Sequence, residues 1–239
     1  MFRFIHVILL NLFRAPYLLS RLRKMASHPE KYSEKMRYLM AKKVFRYVRR
    51  SGLIKTEVIG AENLPKEGGY MMFPNHQGKY DVLAIVHGHE EPCSFVMDKK
   101  KSYTLFLKEI VDLLEAKRME IDNVRQAITV INELVEEVQN GKKYIIFPEG
   151  GYTNNHNTLQ KFKPGSFKSA TKAKVPVVPV CLIDTYKPFN TLSIKPVKNK
   201  VIFLKPIMPE EYEGMTTGQL ADEVKTRIID EMWEYGIEQ

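Results

Sequence analysis

Apolar side chains are distributed differently in the two parts of this chain. The first twenty residues are nearly continuous in them, from Phe2, Phe4 and Ile5 through Leu9, Leu10, Leu12 and Phe13 to Tyr17, Leu18 and Leu19. Arg3, His6, Asn11 and Arg14 interrupt the run. A membrane-spanning helix needs about 20 mainly apolar residues, and this stretch is too short and too often polar. Ala15-Pro16 is a poor signal-peptide cleavage site. The run therefore predicts a helix lying in a membrane interface, the alternative being a core helix packed on the domain. After a break at Ser27-His28-Pro29, Met36, Met40, Val44 and Val48 recur every four residues amid Lys31, Lys35, Arg37, Lys42, Lys43, Arg46, Arg49 and Arg50. That pattern predicts a basic amphipathic helix over about 30–50, closed by Ser51-Gly52. Residues 1–50 thus read as an N-terminal membrane-associated segment, a pair of amphipathic helices.

From about residue 54 the texture changes to short apolar runs separated by helical periodicity. Strands are expected at 54–59, 70–73, 94–97, 144–147, 177–183 and 200–204. The clearest helix spans 123–139, where Val124, Ala127, Ile128, Ile131, Leu134, Val135 and Val138 share one face and Asn140-Gly141 supplies a stop. A last helix runs from about 217 to 234, with Thr216 and Gln219 as its capping box. Alternating strands and helices indicate an α/β layer fold over residues 51–239, with a sheet that need not be all parallel.

Charge narrows the partners. Against 28 acidic residues stand 37 Lys and Arg, a formal net charge of +9. Such a balance favours anionic partners: nucleic acid, anionic lipid or an acidic carrier protein. Nucleic acid is disfavoured, because the charges fall in no recognised binding motif and the apolar start is unexpected for it. Cys93 and Cys181 are the only cysteines and have no metal-ligand spacing, so a reducing compartment without a disulfide framework is expected. There is no P-loop, dinucleotide fingerprint, zinc spacing or G-x-S-x-G elbow.

Two short segments carry candidate chemistry. Asn75-His76-Gln77-Gly78-Lys79-Tyr80-Asp81 follows the strand at 70–73, the strand end where α/β sheets bind ligands. A helix starting near Gly78 would let the Asp81 carboxylate reach the His76 imidazole, fix its tautomer and suit it to general-base work. Alternatively, Asp81 simply caps a helix. Phe147-Pro148-Glu149-Gly150-Gly151 also follows an apolar strand. Glu149 would share an edge with His76, and the paired glycines admit close backbone approach to a ligand; a turn without a task is the alternative. Downstream, Lys161, Lys163, Lys168, Lys172 and Lys174 near a helix start suggest a phosphate site, and Lys117, Arg118 and Arg125 offer further cations.

Together these segments resemble the glycerolipid acyltransferase family. Asn75-His76 with Asp81 is similar to its histidine-four-residues-aspartate motif, Phe147-Pro148-Glu149-Gly150 to its second signature, and Val175-Pro176-Val177-Val178-Pro179-Val180 to its late Val-Pro-rich strand. The resemblance covers about residues 50–210. It implies a mixed sheet flanked by helices, His76 as general base and Asp81 as its partner. It further implies a substrate site drawn from Asn75, Glu149, Gly150, Gly151, Arg118 and Lys163, with no metal and no bound cofactor. The sequence departs from the family at two places. Gly151 and Tyr152 stand where threonine and arginine commonly follow Pro-Glu-Gly, and Asn123 stands where an arginine follows Asp122. Arginine suits bidentate phosphate contact, so Arg118, Arg125, Lys161 or Lys163 would have to compensate.

The reaction so implied is acyl transfer from acyl-coenzyme A or an acyl carrier protein thioester to 1-acylglycerol-3-phosphate, in phospholipid synthesis on the cytoplasmic face of the membrane. Another lysophospholipid or glycerol-based acceptor is the alternative within enzymes. A basic peripheral protein that binds anionic membrane without turnover is the alternative outside them. Deletion of residues 1–26 is expected to release the protein from membranes; unchanged sedimentation with vesicles would reject the anchor.

Overall fold

The computed structural model describes residues 2–120 and 123–239. Ile121 and Asp122, within the stretch compared above with the family's intervening motif, lie outside the described residues. Seven strands among the described residues form one sheet: β1 (Ile54–Ile59), β2 (Tyr70–Pro74), β3 (Ser94–Asp98), β4 (Lys117–Met119), β5 (Lys143–Ile145), β6 (Val177–Ile183) and β7 (Val197–Phe203). Their order is β1-β7-β6-β2-β5-β3-β4. Every neighbouring pair is parallel except β6 with β7, so the sheet is mixed, as expected.

The continuous apolar runs of β2 and β6 follow from burial on both faces. Tyr70 and Met72 of β2, with Val178, Val180 and Leu182 of β6, enter one core. The intervening Met71, Phe73, Val177, Cys181 and Ile183 enter the other. Helices α6 (Val124–Gln139), α7 (Lys168–Ala173) and α9 (Thr217–Glu234) cover the second face. The first face receives α4 (Asp81–Gly88), α5 (Leu107–Leu113) and three N-terminal helices, α1 (Phe2–Asn11), α2 (Ala15–Ser27) and α3 (Glu34–Ser51). A short α8 (Lys187–Asn190) precedes β7.

The sequence pattern misses several of these details. The expected single helix over the first twenty residues is two, bent by 86° at the break after Asn11, because Pro16 cannot continue a helical hydrogen-bond ladder and so starts a new helix at its first turn. No single described helix is long and apolar enough to cross a membrane. The second amphipathic helix begins at Glu34 rather than 30, where the Ser33 side chain accepts from the Met36 amide. Helix α1 also reaches the core: Arg3 is buried and donates to the carbonyls of Lys187, Pro188 and Lys195. In α6, Val130, Leu134 and Val138 are buried, whereas Val124 and Ile128 are exposed. The capping box of α9 forms between Thr216 and Gln219 as the sequence indicates.

At the end of the sheet away from Pro74, a buried polar cluster surrounds His89. Its Nδ1 lies 2.6 Å from the Glu91 carbonyl and must carry the proton there, so Nε2, 2.6 Å away, accepts from the Tyr70 hydroxyl. Lys42 Nζ and the Tyr38 hydroxyl donate to its carbonyl. Burial lowers its pKa from 6.5 to about 4. Between those values the unfolded chain binds a proton that the folded chain refuses, so stability falls as pH drops through this window. The loss reaches roughly 3 kcal/mol once both states are protonated. Denaturant titrations from pH 7 to 4 should show this acid loss, and the difference between wild type and His89→Gln should vary with pH across that window; a constant difference would refute it.

Candidate active site

Parallel strands place their carboxyl ends on one edge, and the chemistry collects there. β2 ends at Pro74, so residues 75–80 turn across that edge before Asp81 opens α4. β5 is paired parallel beside β2, and β6 lies parallel on the other side. The segments following all three strands therefore meet around His76.

Asp81 holds the turn. Its side chain is fully buried, and Oδ2 accepts from His76 Nδ1 at 2.7 Å, the Gln77 amide at 2.6 Å and the Gly78 amide at 2.9 Å. A carboxylate so placed selects the tautomer with the proton on Nδ1 and leaves Nε2 with a free lone pair. Among the described residues, Nε2 has no hydrogen-bond partner, and the His76 side chain is 17% exposed. The ring is clamped between Phe147, stacked at 4.0 Å between centroids, and Tyr152, edge-on at 4.6 Å.

The strands on either side fix the backbone of the turn. Asn75 is buried: its amide donates to the Leu182 carbonyl and accepts from the Leu182 amide, a two-bond clasp on β6. Gln77 donates to the same carbonyl and accepts from Thr185. Glu149 reaches over from the turn after β5. Its Oε1 accepts from the His76 amide at 2.9 Å and its Oε2 from Gln160 Nε2 at 2.8 Å. Burial raises the Glu149 pKa, opposed by these two donors. Burial likewise raises the Tyr152 hydroxyl, with the Asp81 charge adding to it.

Gly150 has φ +72°, a left-handed turn that glycine adopts without strain, and the flexible end of the Lys163 side chain folds over it. The Lys163 amide donates to the Pro148 carbonyl, which fixes its approach. The structure thus brings Asn75, His76, Asp81, Glu149, Gly150, Gly151 and Lys163 to one place. Arg118, on edge strand β4, is bonded to Asp112 and Ser102 and lies over the Tyr103 ring, in contact with the loop after β3 rather than with the two motif turns.

A family model described as Acyltransferase matches residues 55–183, which span both motif turns. The chain belongs to the acyltransferase family. Among curated relatives of this acyltransferase, the 1-acyl-sn-glycerol-3-phosphate acyltransferase of Saccharomyces cerevisiae is 30% identical over 193 residues, covering 77% of this chain and 61% of that protein. The chain therefore spans less than two thirds of that relative's length. A probable 1-acyl-sn-glycerol-3-phosphate acyltransferase of Mycoplasma genitalium is 26% identical, over 85% of this chain and 80% of its own. The crystal structure of the 1-acyl-sn-glycerophosphate (LPA) acyltransferase PlsC from Thermotoga maritima shares the fold, with a TM-score of 0.73, 23% identity, and coverage of 96% and 94% of the two chains.

Sequence reasoning reached His76, Asp81 and Glu149 but not Gln77, Asn157 or Gln160. Asn157 bonds Gln77 Nε2, the Asp184 amide and the Asp184 carboxylate. For Asn157 and Gln160 the only advance signal is a run of amides in a loop, at positions 154, 155, 157 and 160. In Glu149→Gln, one side-chain oxygen becomes a donor facing another donor, either the His76 amide or Gln160. A lost hydrogen bond to a charged acceptor costs about 1.5–3 kcal/mol. Activity of this variant is expected to fall roughly ten- to hundredfold while far-UV circular dichroism stays native; unaltered kinetics would reduce Glu149 to a turn residue.

Proposed function

We propose that this acyltransferase moves a fatty acyl chain from a thioester, carried by coenzyme A or an acyl carrier protein, to the free hydroxyl of 1-acylglycerol-3-phosphate, giving phosphatidic acid. The observation that carries the reading is the His76–Asp81 pair at the carboxyl end of β2, with Nε2 unengaged. His76 Nε2 takes the proton from the acceptor hydroxyl as its oxygen attacks the thioester carbonyl carbon. The Asp81 carboxylate stabilises the imidazolium that forms. As the tetrahedral intermediate collapses, the C–S bond breaks and His76 returns its proton to the leaving sulfur. The names of the yeast and Mycoplasma relatives support this acceptor.

The oxyanion needs donors already aimed at it. The Gly78 amide is spent on Asp81 and the Gly150 amide on the Phe147 carbonyl. Among the described residues the Gly151 amide has no such acceptor, which makes it the candidate donor in the second turn. Lys163, folded over Gly150, takes the acceptor phosphate in place of the family's arginine. Tyr152 at that arginine's position, edge-on to His76, favours a second reading with a less charged glycerol-based acceptor.

The exposed apolar residues of α1, including Phe2, Phe4, Leu9 and Leu10, with Phe13 at 97% exposure, support docking on a membrane surface, and the net charge of +9 favours the anionic cytoplasmic leaflet. Acyl transfer from labelled acyl-coenzyme A and, separately, an acyl carrier protein thioester to a panel of lysophospholipids tests the whole reading. His76→Ala is expected to lower the rate by about 10²–10⁴, and Asp81→Asn to lower it with little change in acceptor KM. No transfer by folded, vesicle-bound protein from either donor would overturn it in favour of a non-catalytic membrane-binding protein.

A further inference from the structure

The loop after β3 has no role in the chemistry above, yet it occupies the same edge of the sheet. β3 runs parallel to β5, which runs parallel to β2. Residues 99–106 therefore leave the sheet on the side where His76 leaves it. The Lys101 ammonium lies over the Tyr152 ring, 5.9 Å from its centroid, and Tyr152 abuts His76.

This loop is built unlike an ordinary solvated turn. Residues 99–108 read Lys-Lys-Lys-Ser-Tyr-Thr-Leu-Phe-Leu-Lys; Lys99 pairs with Glu120 and Lys108 with Asp112, which leaves Lys100 and Lys101 without an ion-pair partner among the described residues. At its tip Tyr103, Leu105 (63% exposed) and Phe106 are exposed, with the Arg118 guanidinium over one face of the Tyr103 ring. Phe106 holds φ +69°, a conformation that costs a bulky residue of order 1–3 kcal/mol unless its surroundings impose it. The backbone here spends energy, yet leaves apolar side chains in water. The core does not require this: Leu107 turns inward against it, and Ile110, Val111 and Leu113 of α5 are buried in it.

Across the active site the same edge carries a matching feature. β6 is parallel to β2, so the segment after it lies on this edge, and Leu192 and Ile194 are exposed there. Arg3 clamps the start of α1 to that segment through Lys187, Pro188 and Lys195. The exposed face of α1 thus flanks His76 on the β6 side, and the 100–106 loop flanks it on the β3 side.

We propose that the 100–106 loop is a second lipid-contact segment, inserting Tyr103, Leu105 and Phe106 into the interface of an anionic bilayer while Lys100 and Lys101 meet its headgroups. This inference rests on the membrane reading of α1 given above. Two contacts on opposite sides of His76 hold the carboxyl edge of the sheet against the bilayer, so an acceptor reaches Nε2 from the lipid plane. One contact alone would leave the protein free to tilt about α1. Aromatic side chains beside lysines suit this layer, with apolar bodies in the acyl boundary and charges at the phosphates.

The test uses the full chain in a Trp233→Phe background, with a single tryptophan reporter at either Leu105→Trp or Phe13→Trp. Each is mixed with phosphatidylcholine–phosphatidylglycerol vesicles whose acyl chains are brominated. Loss of emission at both positions is expected. Lys100→Ser is expected to weaken vesicle affinity about five-fold while leaving turnover of a short-chain soluble acceptor unchanged. Quenching at position 13 without quenching at 105 would overturn the loop proposal and leave α1 as the only contact. Quenching at neither, with no sedimentation on vesicles, would overturn it together with the membrane reading itself.

Discussion

The site depends on one buried oxygen. Asp81 Oδ2 gathers three donors, the His76 ring and the amides of Gln77 and Gly78. Backbone amides shape the turn, and the imidazole is thereby aimed and given one tautomer. The same oxygen shapes the backbone and orients the ring, because a carboxylate taken out of water must find donors and the nearest are those of the turn preceding its own helix. Oδ1 is buried without a partner among the described residues, so the whole demand of the charge falls on Oδ2. Loss of the carboxylate would orient neither the ring nor the loop.

The turn is also held from outside. Asn75 and Gln77 grip the backbone of β6 at Leu182, and Glu149 grips the His76 amide from the β5 side. Each is a side chain bonded to main chain, so the position of His76 follows the register of three adjacent strands. Polar side chains buried in this way are tolerated because their bonds are largely complete, and the arrangement is rigid where positioning matters to the reaction.

The N-terminal helices belong to this architecture as well as lying on it. Leu18, Leu22 and Met25 of α2 and Tyr38, Ala41 and Phe45 of α3 join the core on the first face of the sheet. The fully buried Arg3 guanidinium is bonded to carbonyls around α8, and Asn190 at the end of α8 touches the Gln77 carbonyl. The apolar start of the chain therefore divides its surface: one face completes the core, and the other is exposed.

Much of this was legible in the sequence. Strands β2 and β6 are nearly all apolar because both faces are covered, and the helix over 124–139 shows its period because only one face is. His76, Asp81 and Glu149 stood out because each follows such a strand within a few residues. Other features depend on contacts between residues far apart in the chain. Arg3 meets carbonyls more than 180 residues away, and Lys163 reaches Gly150 only through a folded loop. Val124 and Ile128 fit the helical stripe yet remain exposed, since periodicity reports which residues share a face, not whether a neighbour covers it. By itself the sequence determined the layered α/β class, the strand ends that bear the chemistry and the pairing of a histidine with an aspartate five residues on. Only the tertiary structure decided the strand order that joins the two motif turns, the engagement of Arg118 by Asp112 and Ser102 and the common edge shared by α1 and the 100–106 loop, because strand order and loop closure depend on three-dimensional packing that no local pattern encodes.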